Sequence, residues 1–376
     1  MNILEYELTT ISPMFASRDG KDFELTSQSI RGVLRFWFRA VIPRVLNIHY
    51  YKNTKEDYIG LKKAEEFIFG STEKKSPFDV IVEGINGEKS RYNKYFSQDN
   101  RYGIYGVDKR EFLKENSRIK LVFVVKNEKI KGLLENLLIL VSLIGGFGAK
   151  SRKGFGSFEI NKNNYKLIDI LKILDEENKK IFSNGEFDLT PTKFDDVSDY
   201  PVLVKGYYSS FSKNTKYETF KDVYNYLFKT PQDFNQKGVY IKTKYRLRKK
   251  GNDSFKTAIY DVEKGYNNNI IFHQSIFGLP INYKTFNGQH KNLLGSNYSL
   301  TPENGERKAS PLFISVYKNN NKYSIRFLIL KSKLTASKNP RLKFNKKRGN
   351  TISVMGNENY NELIEELKNN VKEEKM

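Results

Sequence analysis

Leu143-Ile-Gly-Gly-Phe-Gly-Ala-Lys-Ser-Arg-Lys-Gly-Phe-Gly-Ser-Phe158 sets five glycines (Gly145, Gly146, Gly148, Gly154, Gly156) around three cations, Lys150, Arg152 and Lys153, with Ser151 between them and no acid. Glycine admits φ > 0 and close backbone approach. A backbone freed in this way can turn several N–H groups towards one anion, and the flanking cations suit phosphates. Upstream, Ile130 to Ile144 has the pattern of an apolar helix; downstream, Phe155 to Ile160 reads as a strand. Dinucleotide and P-loop sites run strand, loop, helix and seat phosphate at a helix N-terminus. Here the order is helix, loop, strand, and no G-x-x-x-x-G-K-[S/T] spacing occurs. The alternative is a helix C-cap and tight turn whose cations answer the helix dipole. It accounts for one or two glycines and one cation. The candidate anion cradle is Gly145, Gly146, Gly148, Lys150, Ser151, Arg152, Lys153 and Gly154.

Working outward, Ile3 to Ile11 alternates as a strand. Ser27 is placed to cap a helix from Gln28 to Ile42, on which Ile30, Val33, Leu34, Trp37, Phe38 and Val41 form one apolar face. Phe78 to Glu83 and Ile119 to Lys126 are strand-like, and Lys129 to Ile144 is a nearly all-apolar helix. The order is β-α-β-β-α-β, the ferredoxin-like or RNA-recognition-type arrangement. A long insertion, Gly84 to Ser117, separates the middle strands. Asp169 to Phe182 reads as a connecting helix and Ser183 to Ser198 as a linker. A second, similar run follows: a strand from Val202 to Phe211, a helix from Thr219 to Phe228, a hairpin from Phe313 to Lys331 and a C-terminal helix carrying Leu363, Ile364, Leu367 and Val371. No clear fourth strand completes it, though Thr351 to Met355 offers a short one. The expectation is an α+β protein of two ferredoxin-like (RRM-like) domains with insertions, residues 1–165 and 199–376, joined by a helix and linker at 166–198.

The 376 residues hold 65 Lys and Arg against 43 Asp and Glu, a net charge of +22. That excess points to a polyanionic partner or an acidic neighbouring subunit. Absence of Cys excludes disulfides, thiolate zinc sites and cysteine nucleophiles. The first residues read as a strand and not a signal peptide. Leu133 to Phe147 is too short for a bilayer and contains Glu135. A cytoplasmic protein with no membrane contact is expected.

Cations gather at four further places. Arg31, Arg35 and Arg39 stack at i, i+4 and i+8 on the first helix. Such a row repels itself unless an anion lies alongside or acids from elsewhere pair with it. Val239 to Lys250 alternates apolar residues with Lys242, Lys244, Arg246 and Arg248, which as a strand gives one cationic face; a basic edge strand blocking aggregation is the alternative. Arg307 and Lys308 precede Ser310 at a strand entrance, a phosphate clamp. Lys331 to Arg348 adds eight cations and no acid. Catalytic signals are poor. His49, His273 and His290 lie in no metal-ligand spacing, no Gly-x-Ser-x-Gly elbow occurs, and neither metal nor cofactor is expected.

Ser29-Ile-Arg-Gly-Val-Leu-Arg-Phe-Trp-Phe-Arg-Ala40 resembles the first-helix signature of RAMP proteins, the repeat-associated subunits of type III CRISPR effector complexes. Gly145 to Gly156 resembles their glycine-rich loop. Phe277-Gly-Leu-Pro-Ile281 and Arg307 to Leu312 resemble two-domain RAMP subunits of the type III-B (Cmr) complexes, and the likeness runs over most of the chain. It implies a non-catalytic subunit of an antiviral complex that binds guide RNA, towards its 3′ end, and target RNA, among other RAMP subunits. Guide-processing ribonucleases that need no metal are distant relatives. They often use a His near the first helix, and this chain has none before His49.

Overall fold

The computed structural model describes residues 2–96, 101–160, 165–195, 197–249, 276–278, 281–284, 297–302, 308–319, 321–333, 341–344, 351–353 and 360–372. It is an α+β protein. In chain order the elements begin β1 (Asn2–Thr10), α1 (Ser27–Val41), β2 (Tyr50–Tyr51), β3 (Thr54–Lys55), α2 (Ile59–Phe69), β4 (Phe78–Asn86), β5 (Lys89–Arg91), α3 (Tyr92–Tyr95) and β6 (Glu111–Leu113). They continue with β7 (Arg118–Val125), α4 (Lys131–Ile144), β8 (Phe158–Ile160), α5 (Leu167–Phe182), β9 (Tyr208–Tyr217), α6 (Phe220–Phe228) and α7 (Val239–Lys249). The last are β10 (Ile281–Lys284), β11 (Asn297–Pro302), β12 (Leu312–Asn319), β13 (Lys322–Leu330), β14 (Arg341–Phe344), β15 (Thr351–Ser353) and α8 (Tyr360–Lys372). Two compact units result: Met1–Asp195 with Val202–Asn225 and Phe313–Leu328, and Asp196–Pro201 with Tyr226–Leu312 and Ile329–Met376.

The first unit is built on an antiparallel sheet in the order β4-β7-β1-β8. Alternation decides its faces. Tyr6, Leu8 and Thr10 are buried while Glu5 and Glu7 are exposed. Helix α1 starts where the Thr26 side chain, not Ser27, accepts from the Ser29 N–H at 3.2 Å. It buries Ile30, Leu34, Trp37, Phe38 and Val41 against α4, which is apolar nearly all round and correspondingly buried. Helix α5 packs on α4, so the helix expected as a connector belongs to this core. The expected strand Phe155 to Ile160 begins only at Phe158; its first three residues remain in the glycine loop.

Two readings of the second half are corrected. The hairpin β12–β13 is expected from sequence to build the second domain, yet residues 313–328 cluster with the first unit. The reason is packing: Phe313 lies 5.3 Å from the Trp37 ring and 5.7 Å from that of Phe36. The same hairpin sheets with β9 in the order β12-β13-β9, and β9 starts six residues later than the strand expected from Val202. In the second unit, Val239–Lys249 is a helix and not a strand. Val239, Thr243 and Leu247 recur every fourth residue and are buried, so the stretch satisfies helical spacing as well as alternation. Burial against α8 selects the helix: the Asn370 side-chain amide donates to the Thr243 hydroxyl at 2.9 Å. The remaining strands form an antiparallel sheet, β10-β11-β14-β15, in which the short stretch at Thr351 is the last strand.

Candidate nucleic-acid interface

The glycine loop leaves α4 at Gly145, whose N–H closes the last turn onto Val141 at 2.8 Å. It is then bound to its surroundings by backbone. Phe147 N–H donates to the Gly156 carbonyl (3.0 Å), Ala149 N–H to Phe15 (2.6 Å), Gly156 N–H to Pro13 (2.9 Å) and Lys153 N–H to Lys150 (2.7 Å). The Ser157 N–H donates to the Ser12 hydroxyl at 2.9 Å. Phe147 and Phe158 stack beneath the loop, 4.6 Å apart and 10° from parallel. Gly148, Gly154 and Gly156 adopt φ of +84°, +82° and +67°. The glycines therefore let the loop lie flat on β1's extension, and the amides at 147, 149, 153, 156 and 157 serve the fold.

Lys150 itself has φ +62°. Burial and the neighbouring Arg110 both push its amine below the ordinary lysine value, and among the described residues no carboxylate is ion-paired with either. Two cations that feel one another's charge without an acid to pair with make a local field that suits an anion. Arg110 was invisible to sequence reasoning because it lies in the Gly84–Ser117 insertion. That insertion folds onto the loop: Phe96 and Phe155 meet at 6.2 Å, and Lys153 stands 5.0 Å from the Tyr102 ring centroid. Arg152 points elsewhere. It lies over Phe313 (4.4 Å) and Phe36 (5.4 Å), and burial pulls it down to about 10. Arg326, on β13, donates to the Leu143 carbonyl at 2.6 Å, satisfying the C-terminus of α4 just before the loop.

The arginine row on α1 is answered from within the fold. Arg31 pairs with Asp79 at 3.2 Å, Arg35 with Glu65 at 3.3 Å, and Arg39 grips both oxygens of Glu65. Arg31 and Arg35 also lie over the Phe78 and Phe69 rings. Of the two sequence readings, pairing by distant acids is the one found.

In the second unit, α7 distributes Lys242, Lys244 and Arg246 around a helix in place of aligning them. Arg246 pairs with Glu366 at 3.8 Å. Arg248 lies on the same helix. The Lys308 amine donates to the Ser332 hydroxyl at 3.0 Å; Arg307 lies outside the described residues, as do His273 and His290. His49 is half-buried, with Nδ1 3.7 Å from Asp57 and accepting from the Tyr58 N–H at 3.4 Å. Among the described residues no helix is long and apolar enough to cross a membrane.

Residues 7–159, which span the four-stranded sheet with α1, α4 and the loop, match the RAMP superfamily. Its relatives are more particular. The CRISPR system Cmr subunit Cmr1-2 of Pyrococcus furiosus is 29% identical over 182 residues, covering 41% of this chain and 93% of that protein. Cmr1-1 of the same organism is 29% identical over 164 residues, covering 41% of this chain and 46% of that one. The crystal structure of apo Cmr1 from P. furiosus superposes with a TM-score of 0.54 at 16% identity, over 97% of this chain and 96% of the other. At that identity the likeness is one of fold.

Proposed function

We propose that this chain is a Cmr1-like, non-catalytic RNA-binding subunit of a type III-B CRISPR effector complex. It holds the backbone of guide RNA, towards the 3′ end, and of target RNA, beside other RAMP subunits in the cytoplasm. The sheet order β4-β7-β1-β8 supports a ferredoxin-like first domain. Both relatives named as Cmr1 subunits support the assignment to the complex. The observation that carries RNA binding is the uncompensated pair Lys150 and Arg110 beside the glycine loop, with Lys153 over Tyr102. A cation pair of this kind holds phosphate, and an adjoining aromatic ring is suited to base stacking. Lys242 and Lys244 on α7 offer a second basic surface within their own unit.

The test is a salt titration of single-stranded RNA binding. Wild type is expected to bind with little sequence preference and a steep log–log slope, about −0.7 for each phosphate neutralised. Lys150→Ala with Arg110→Ala flattens that slope by about 0.7 for each phosphate left without its cation. An unchanged slope and affinity would reject the site.

A further inference from the structure

The four-stranded sheet of the first unit has one face covered by α1 and α4 and one open. On the open face Ile3 is 61% exposed and Ile81 46%. Ile3 sits opposite Val124 and Ile81 opposite Val122, so the two isoleucines bracket an apolar stripe across β1, β7 and β4. The stripe is bordered by acid. Glu5, Glu7 and Glu83 rise from the same face, and the cations there are shared out: Lys120 serves both Glu83 (2.5 Å) and Glu5 (3.5 Å), while Arg118 serves Glu7 (3.8 Å). In a chain of net charge +22 this surface has excess negative charge.

These features exclude two occupants. RNA is repelled by the glutamates and finds no stacking platform, because Tyr6 and Phe123 of the same strands turn into the core, edge to face at 5.8 Å. A second copy docking by two-fold symmetry would oppose this acidic rim to itself. We propose that the open sheet face docks another protein subunit, through an apolar patch on that subunit framed by Lys and Arg. Exposed apolar residues ringed by charge match the anatomy of a protein interface, with an apolar centre and a polar rim. The proposal rests on the assembly reading above.

The experiment co-expresses the chain with the other subunits of its complex and follows association by sedimentation velocity. Ile3→Glu with Ile81→Glu places charge in the stripe at exposed positions; Glu5→Lys with Glu83→Lys reverses the rim. Melting temperature and affinity for a labelled single-stranded RNA are measured on the same variants. Both double variants are expected to fold and to bind RNA like wild type, while association with the neighbouring subunit weakens at least about tenfold. Wild-type association in both variants overturns the docking surface and leaves the RNA-binding reading standing. A wild-type chain that joins none of the subunits overturns the docking surface and the assembly reading on which it rests. RNA affinity that falls in the isoleucine variant, or self-association of the wild type that the variant abolishes, overturns the proposed occupant.

Discussion

Phe147 and Gly156 face each other across the glycine loop so closely that a Cβ at position 156 would stand 1.9 Å from the Phe147 carbonyl oxygen. The two residues are also joined by the Phe147 N–H bond, and Gly156 sits at φ +67°. A Cβ at Gly148 would lie 2.3 Å from the Phe15 carbonyl oxygen, and one at Gly146 2.8 Å from that of Gly156. The neighbours are backbone and cannot rotate away. Gly156→Ala is therefore expected to cost about 1–3 kcal/mol or more, read as a drop in melting temperature of roughly 2–4 °C per kcal/mol. The same order of loss is expected for Gly148→Val. Stability is expected to fall before affinity does, because these glycines serve the loop's fit and the proposed phosphate contacts are those of side chains. A variant that melts like wild type but loses RNA would reverse that assignment.

Lys150 is expected to separate stability from function. Its amine is lowered from the usual 10.5 by burial and by Arg110. The charged form is thus disfavoured in the folded state. That cost is present in full below the folded value and fades as pH rises through it towards the unfolded one, where the unfolded chain binds the extra proton. Lys150→Met removes the charge and keeps the stem. Its melting temperature at neutral pH should exceed that of wild type, and the gap should narrow as pH approaches the lysine range. RNA affinity should fall, with the salt slope flatter by about 0.7. A lower melting temperature with intact RNA binding would show that the amine has a structural partner.

Glu65 governs the arginine row. It holds Arg35 and Arg39 together from a side chain only 15% exposed. Glu65→Gln is expected to destabilise by up to about 1 kcal/mol, because the two arginines it pairs with are largely solvated. It should also strengthen RNA binding at low salt, since two guanidinium groups lose their acid. Arg39→Ala should leave the salt slope unchanged, which a titration of the two variants in parallel decides.

Histidine chemistry supplies a fourth check. Replacing His49, His273 and His290 together by Ala should leave RNA affinity as it was, since holding phosphate needs no general base. The assay incubates pure protein with CRISPR repeat RNA and a chelator. Site-specific cleavage by wild type, lost in the triple variant, would establish a metal-independent ribonuclease in place of the binding subunit.

Much of the first unit was legible because its patterns are unambiguous. Helix α1 shows one apolar stripe over fifteen residues, and β1 alternates cleanly. At Val239 to Lys249 two periods fit the same letters, and only packing on α8 chose between them. The charge partners were beyond reach for a different reason. Arg39 finds Glu65 26 residues away and Arg31 finds Asp79 48 away, while Arg110 meets Lys150 from inside an insertion. A linear sequence displays cations; it does not display which of them the fold will neutralise.

The hairpin that covers Phe36 and Trp37 is encoded at residues 313–328, more than two hundred residues after the helix it covers. Any nascent chain that has not yet reached residue 313 has an incomplete first unit, with that aromatic face of α1 bare and Ser157 without its bond from Val316. Loop closure across such a span is a late, entropically costly step. The unit that is first in sequence thus completes only after more than two hundred further residues have been synthesised, and until then it presents an apolar surface that a chaperone or an assembling partner can cover.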